Sequence, residues 1–277
     1  MRRLLRDKQP GFTLVEAIMV ITITGIIAGM VAVFIKQPID AYIDTARRAA
    51  LADIADTSAR RMARDLQGAL PNSVRVDATG RFLEFVPIRD GGRYRAEVGV
   101  SAGDDPLDFT SAADNSFDVL GPTVSVVAGD SLVVYNLGIT GASAYDTPLT
   151  SRRVATAGVG LNKVSFTATA NPLPFASPGS LFQIVTTPVS YACDLGTGTL
   201  WRYSGYAFQA GQPATLATLN GLAGVTAAAL ATNVTACSFA YSPGVLQHYG
   251  LVSLALTITQ SGEAVTLQLQ VNVDNVP

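Results

Sequence analysis

The sequence is poor in the side chains that active sites and metal centres use most. Its 277 residues include one histidine, two cysteines and one tryptophan. His248 is the single imidazole, and no CxxC or HxxxH spacing supplies a zinc-type ligand set. Neither a Walker glycine loop nor a GxSxG elbow is present. We therefore predict no catalytic residue, no cofactor and no enzymatic activity.

Charge is scarce as well. Charged side chains make up 14 % of the chain, the formal net charge is -2 and the isoelectric point is near 5.4. This balance argues against a protein that binds nucleic acid by neutralising phosphates. Asp104, Asp105 and Asp108 resemble a calcium loop, but their spacing is not that of an EF-hand, so a solvated acidic loop is favoured. We predict neither a nucleic-acid partner nor a bound metal.

One long hydrophobic run stands out against this background. Between Phe12 and Ile35 the only ionisable side chain is Glu16, and as a helix this segment would extend about 36 Å. That length crosses a bilayer. The preceding leader is basic, and its charged residues are Arg2, Arg3, Arg6, Asp7 and Lys8. The positive-inside bias predicts a single-pass protein whose leader stays in the cytoplasm and whose larger part lies on the other side of the membrane.

Two ordinary explanations of this N-terminus fit less well. A secretory signal peptide carries its small residues after the apolar core, whereas Gly11 precedes it. A plain signal anchor leaves Glu16 unexplained, because a carboxylate costs about 3 kcal/mol at mid-bilayer, although less near the edge. A charge at the entry of the membrane segment, directly after a small residue, favours processing and assembly.

Residues 11–16 (GFTLVE) resemble the prepilin signature of type IV pilins and type II secretion pseudopilins. The resemblance implies that prepilin peptidase cuts between Gly11 and Phe12 and that the new amine of Phe12 is methylated. It also implies that Glu16 pairs with such an amine, favouring that of a neighbouring subunit. The implied partners are other minor and major pilins, the peptidase and an inner-membrane assembly platform. The implied location is the bacterial inner membrane, with the head in the periplasm.

Small residues lie in the middle of the hydrophobic run. Gly25 and Gly29 form a GxxxG, a pattern that lets membrane helices approach closely. Glycine is also simply common in such helices, and the sequence leaves the two explanations open. In pilins this region can loosen on assembly, and Gly25 is a suitable place for that.

The composition predicts an α+β protein in four parts. These are a leader (1–11), a transmembrane helix (12–35), an amphipathic periplasmic helix (36–70) and a β-rich head (71–277). Pro38 is expected to interrupt or kink the helix at the membrane edge. The predicted apolar stripe of the second helix comprises Ile39, Tyr42, Ile43, Ala46, Ala50, Ile54, Met62, Leu66 and Leu70.

The head carries strand-like runs separated by turn residues. The predicted strands are 81–88, 123–127, 131–137, 163–169, 181–187, 189–193, 199–206, 250–260 and 265–273. The last two alternate apolar and polar residues around 261–264 and predict an antiparallel hairpin. Residues 90–118 and 210–235 are interpreted as long surface excursions.

Cys193 and Cys237 both lie in strand-like runs on the predicted periplasmic side. Oxidation is the norm in that compartment, so we predict a disulfide between them. Closing a loop of this length is worth roughly 4 kcal/mol in the chain-entropy model.

Five segments of the head resemble a narrower group within the pilin-like proteins. They look like the minor pilin-like proteins of mannose-sensitive haemagglutinin (MSHA) pili, and they are 69–76 (ALPNSVRV), 84–88 (EFVPI), 200–206 (LWRYSGY), 237–244 (CSFAYSPG) and 271–277 (VNVDNVP). The resemblance implies a role in initiating or capping a pilus. Two alternatives stay open, a J-type minor pseudopilin of type II secretion and a pilus-tip adhesin. The adhesin would use the aromatic residues Trp201, Tyr203, Tyr206 and Phe208.

Overall fold

A computed structural model describes residues 11–101, 103–244 and 249–277. The basic leader and His248 lie outside the described residues. The chain divides into two compact units, Met1–Ala50 and Leu51–Pro277. The α+β prediction of a long N-terminal helix followed by a β-rich domain is confirmed.

Helix α1 runs without interruption from Leu14 to Gln67. Pro38 lies inside this helix, so the first of its two expected effects, an interruption, is wrong, while a kink stays a prediction. Proline lacks the N–H that would bond the carbonyl four residues earlier, at Phe34, but the turns on both sides keep their own hydrogen bonds. One missing bond is therefore compatible with a continuous helix.

The C-terminal turns of α1 contribute one face to the core of the second unit. The buried residues recur at steps of three or four and are Leu51, Ala55, Ser58, Ala59, Met62 and Leu66. The predicted stripe contained Met62 and Leu66 but also Ala50 and Ile54, which are exposed. Alanines occupy neighbouring faces of this segment, so hydrophobicity alone did not identify the face that packs.

Asp65 attaches this part of the helix to a sheet. Its carboxylate accepts hydrogen bonds from the Tyr191 hydroxyl at 2.6 Å and from Arg202 Nε at 2.9 Å. Ser58 Oγ donates to the carbonyl of Leu230 at 3.0 Å. Asp65 thus neutralises a half-buried arginine of the head.

The described part of the head contains short strands and one short helix, α2, which spans Leu216–Gly221. In chain order the strands are β1 Arg75–Val76, β2 Phe82–Phe85, β3 Ile88–Tyr94, β4 Ser116–Leu120, β5 Val124–Val126, β6 Ser131–Val133, β7 Arg152–Val154, β8 Gly158–Leu161, β9 Lys163–Ser165, β10 Leu181–Val185, β11 Val189–Asp194, β12 Thr199–Ser204, β13 Thr226–Ala231, β14 Val234–Ser242, β15 Tyr249–Gln260 and β16 Glu263–Asp274.

These strands form antiparallel sheets. One has the order β1-β2-β11-β12-β13, a second β7-β6-β10-β3-β4-β9 and a third β14-β15-β16, while β5 pairs with β8. The largest apolar cluster combines the buried face of α1 with residues of the first and third sheets. A separate apolar cluster, which includes Phe117 and Phe182, packs on the second sheet.

The closing hairpin is the most accurate of the strand predictions. β15 and β16 pair over twelve residues, from Gln260↔Glu263 to Tyr249↔Asp274. The turn has only two residues, Ser261 at φ 51° and Gly262 at φ 85°. Two successive positive φ values match a type I′ turn, which fits the strand twist. The predicted four-residue loop was therefore too long.

The two predicted excursions are wrong in part. Residues 90–118 include most of β3 and the start of β4, and residues 210–235 include α2, β13 and the start of β14. β3 contains two glycines and β13 is mostly alanine, so neither shows the alternation that identifies a half-buried strand.

Cys193 on β11 and Cys237 on β14 are joined by a disulfide, with Cα atoms 6.0 Å apart. Both residues belong to the largest apolar cluster. The bond therefore links the first sheet to the third beneath the C-terminal turns of α1.

Candidate functional site

The N-terminal end of α1 is built around Thr13. The hydroxyl of Thr13 accepts a hydrogen bond from the backbone N–H of Glu16 at 3.3 Å, and its carbonyl accepts one from Ala17 at 3.2 Å. Thr13 is thus the N-cap of the helix. The same hydroxyl lies 3.5 Å from Glu16 Oε2. The sequence analysis missed this cap, although the Thr-x-x-Glu spacing is a capping-box signature.

The bond between Gly11 and Phe12 lies outside the helix. Helical structure begins at Leu14, and the Phe12 side chain is 72 % exposed. Non-helical, exposed backbone is the kind of segment that proteases cut. A cut here would leave an amine one residue before the cap, with the Glu16 carboxylate in the first helical turn.

Glu16 occupies a position that favours negative charge. The first turn of a helix presents unpaired N–H groups and the positive end of the helix dipole. The carboxylate is exposed, and its neighbour within the chain is the neutral Thr13 hydroxyl. This arrangement can accept a cation from outside the helix, and its chemistry is charge pairing rather than proton transfer.

Between Glu16 and Lys36 the surface of α1 is apolar in every direction. Large hydrophobic side chains along it are more than half exposed, among them Ile18, Ile21, Ile23, Ile26 and Phe34. Among the described residues, α1 is the one helix long and apolar enough to cross a membrane. A helix that is hydrophobic all round requires lipid or other helices around it.

Polar groups inside this apolar segment are satisfied locally. Thr22 Oγ donates to the carbonyl of Ile18 at 2.8 Å, and Thr24 Oγ donates to that of Val20 at 2.6 Å. Beyond the adjacent residues and the backbone of its own helical turns, a Cβ placed on Gly25 or Gly29 would meet no atom within 4 Å. The two glycines therefore leave open space on the helix surface, where a neighbouring helix can approach closely.

Comparison with known proteins bears on this segment. Residues 6–32 match the prokaryotic N-terminal methylation motif. No match was found among curated proteins or among solved structures. The chain carries a type IV pilin-like prepilin signal. This signal and the apolar helix fit anchoring in the inner membrane, processing by prepilin peptidase and a structural role in assembly with pilins.

Two of the three aspartates of the acidic loop pair with cations of the head, and Asp108 accepts hydrogen bonds from Thr110. Asp104 lies 3.3 Å from Arg95 Nη2, and Asp105 lies 2.9 Å from Lys163 Nζ. Burial raises the pKa of Asp105, but the Ser116 hydroxyl and Lys163 outweigh it and hold that pKa below its usual value. Within residues 11–101, 103–244 and 249–277, no group of three histidine, cysteine or acidic side chains is placed to hold a metal.

The aromatic residues considered for an adhesin mostly pack inward. Tyr203 and Tyr206 are buried, and Trp201 is half-buried in the same cluster beside α2. Phe208 lies under Arg152, whose Cζ is 3.9 Å from the ring centroid. The four side chains do not form an exposed platform of the kind that stacks on a sugar.

A buried ion pair in the head was missed by the sequence analysis. Glu84 on β2 is 0 % exposed and accepts hydrogen bonds from Arg75 Nε at 2.5 Å and Tyr206 Oη at 2.9 Å. Burial raises the pKa of Glu84, although Arg75 and Tyr206 oppose that shift. The only signal in the sequence was one acid within an aromatic and aliphatic strand. Arg75 and Tyr206 occupy its carboxylate, so Glu84 is not offered to a ligand.

Proposed function

We propose that this chain is a non-catalytic minor pilin that takes part in assembling an MSHA-type type IV pilus, by initiation or at the tip. In this proposal prepilin peptidase cuts between Gly11 and Phe12, and the amine of Phe12 is methylated. The observation that carries the proposal is the prepilin-type signal, followed by a helix whose apolar surface is uncovered within the chain.

Glu16 is the assembly residue in this mechanism. It is the sole carboxylate of the apolar segment and has no cationic side chain between Phe12 and Ile35 to pair with. The Phe12 amine of an adjacent subunit would supply the missing charge. Leaving either charge of such a pair without its partner in lipid costs several kcal/mol. Pairing would therefore align each subunit with its neighbour along the membrane helix.

The MSHA assignment rests on the five head segments, which resemble those of MshO. The size of the head supports a minor role. Residues 71–277 form a large and irregular unit, which repeats along a thin filament less easily than a small one. Other minor and major pilins, bound through α1, and the inner-membrane assembly platform are the proposed partners. The head is proposed to lie in the periplasm, or on the surface pilus.

The test is the number of surface pili, counted by electron microscopy, on cells that lack the gene and on cells with the gene restored. We expect pili to disappear and to return with the gene. Normal pili in the deletion strain would overturn the assembly role. A simultaneous failure of protein secretion would then support the pseudopilin alternative, and a failure of surface attachment alone would support the adhesin.

A further inference from the structure

The outer edge of β16 has no neighbouring strand in the described part of the chain. β16 ends the sheet order β14-β15-β16, and the strand that it pairs with is β15. The pairing continues through all twelve residues without a register shift, so the edge is about 40 Å long. Along such an edge, alternate residues point their N–H and C=O groups away from the sheet.

This edge lacks the features that usually protect one. Between Ala264 and Val273 there is no charged residue, proline or glycine, and proteins normally block free edges with lysine, proline or bulges. The opposite edge of the same sheet differs. β14 has a register shift between Val234 and Ala236, and its Phe239 N–H bonds the carbonyl of Gly80 at 2.6 Å. Of the two edges of this sheet, as the structure describes it, the β16 edge is the long and regular one.

The core-facing side chains of β16 are incompletely covered. Val265, Leu267 and Leu269 pack against the largest apolar cluster but are only half-buried. Their partners on β15, which are Ile258, Leu256 and Leu254, are buried. A further strand beside β16 would therefore remove apolar surface from water as well as satisfy backbone groups.

We propose that β16 pairs antiparallel with β16 of a second copy of this chain, with the two-fold axis at Leu269. In this register Leu269 faces its own counterpart, Leu267 faces Val271 and Val265 faces Val273. On the other face Gln268 lies opposite Gln270 and Thr266 opposite Asn272. The interface is isologous and joins two three-stranded sheets into one of six.

The side chains of β16 select a second copy as the occupant because the strand is complementary to itself. From Val265 to Val273 each apolar side chain faces an apolar one, and each uncharged polar side chain faces another, which are favourable cross-strand pairs. The acids at the strand ends do not face each other. Asp274 lies opposite Ala264, and Glu263 lies opposite Asn275.

Cysteine crosslinking of the full-length protein in native membranes tests this pairing. Leu269→Cys places two thiols across the axis, where directly opposed Cβ atoms are about 4.5–5.5 Å apart. The control Ala255→Cys lies one strand further in, roughly 14 Å from its counterpart. After mild oxidation we expect at least about tenfold more disulfide-linked dimer with Leu269→Cys, since a disulfide needs Cβ atoms near 4 Å.

Two further variants test whether the crosslink depends on the proposed strand pairing or arises from random collision of two chains. Gln268→Lys with Gln270→Lys, added to Leu269→Cys, brings four like charges together and should lower the dimer about tenfold. Gln268→Thr with Gln270→Thr should preserve it. Formation of the Cys193–Cys237 bond in each variant verifies folding.

Three results would overturn the proposal. They are equal crosslinking of Leu269→Cys and Ala255→Cys, a Leu269→Cys product that contains a different protein, and full crosslinking despite the lysines. The readout does not depend on pili, so it stands or fails separately from the proposed function.

Discussion

The two parts of helix α1 differ in where their apolar side chains go. From Leu14 to Ala50 the helix buries no side chain within the chain, although isoleucine and valine dominate its first half. From Leu51 to Gln67 it is richer in charge and yet buries six residues. Along this one helix, the more hydrophobic part is therefore the less buried part. The first part is built for surroundings that the chain does not supply, and the second is an ordinary element of a globular core.

Removing a carboxylate from each part of the helix should give the largest difference, measured as the number of pili. Glu16→Ala should reduce assembled pili by about a hundredfold, because an unpaired amine in lipid costs several kcal/mol. Asp53→Ala, which removes an exposed carboxylate of the second part, should leave pilus number nearly unchanged. Pili are counted by electron microscopy at matched protein levels. Normal assembly by the Glu16→Ala protein would remove Glu16 from the mechanism.

Truncating an apolar side chain in each part should affect the stability of the head differently. Here the larger effect is expected in the second part of the helix. Leu66 is 2 % exposed, so Leu66→Ala should lower the free energy of unfolding of the head by about 3 kcal/mol. Ile27 is more than half exposed, and Ile27→Ala should change it by less than about 0.5 kcal/mol. Denaturant unfolding in detergent, followed by the fluorescence of Trp201, measures both. Equal losses would contradict the division of the helix.

The stability of the head should depend on pH through the buried Glu84. Because burial raises the folded-state pKa of Glu84, its contribution to stability is fully present below the unfolded carboxyl pKa of about 4.3 and is lost as pH rises through the folded pKa. Glu84→Gln should abolish this loss, and Glu97→Gln, at an exposed site, should retain it. Unfolding free energies of both variants are compared with the wild type between pH 4 and neutrality. Parallel curves for wild type and Glu84→Gln would refute the assignment.

The smallest effect is expected from the glycines of the first part. Gly25→Leu with Gly29→Leu fills open space on the helix, so the head should unfold at an unchanged denaturant concentration. Loss of close helix packing is worth roughly 1 kcal/mol, which lowers pilus number about fivefold. Ile26→Leu serves as the matched control. An undiminished pilus number in the double variant would show that these glycines do not pack against neighbours.

Sequence reasoning succeeded where a pattern had one physical interpretation. The apolar run with Glu16 at its entry and the alternation of β15 and β16 each identified their element. It failed where small residues left the pattern ambiguous. The alanines near residue 55 hid the packing face of α1, and those of β13 hid an edge strand.

Long-range partners were also beyond the sequence. Nothing local pairs Asp65 with Tyr191 or Glu84 with Tyr206, since each contact joins segments more than a hundred residues apart. The disulfide was predictable only because Cys193 and Cys237 are the two cysteines of the chain. The cap at Thr13 was readable from its spacing to Glu16 and was overlooked.

The most direct measurement is the intact mass and N-terminal sequence of the protein isolated from membranes of cells that contain prepilin peptidase. We predict a chain that begins at Phe12 and carries one methyl group on its amine, and a chain that retains its leader when the peptidase is absent. A protein that begins at Met1 in both strains, or that is cut after the apolar segment, would contradict the assignment of α1 as a pilin-type assembly helix.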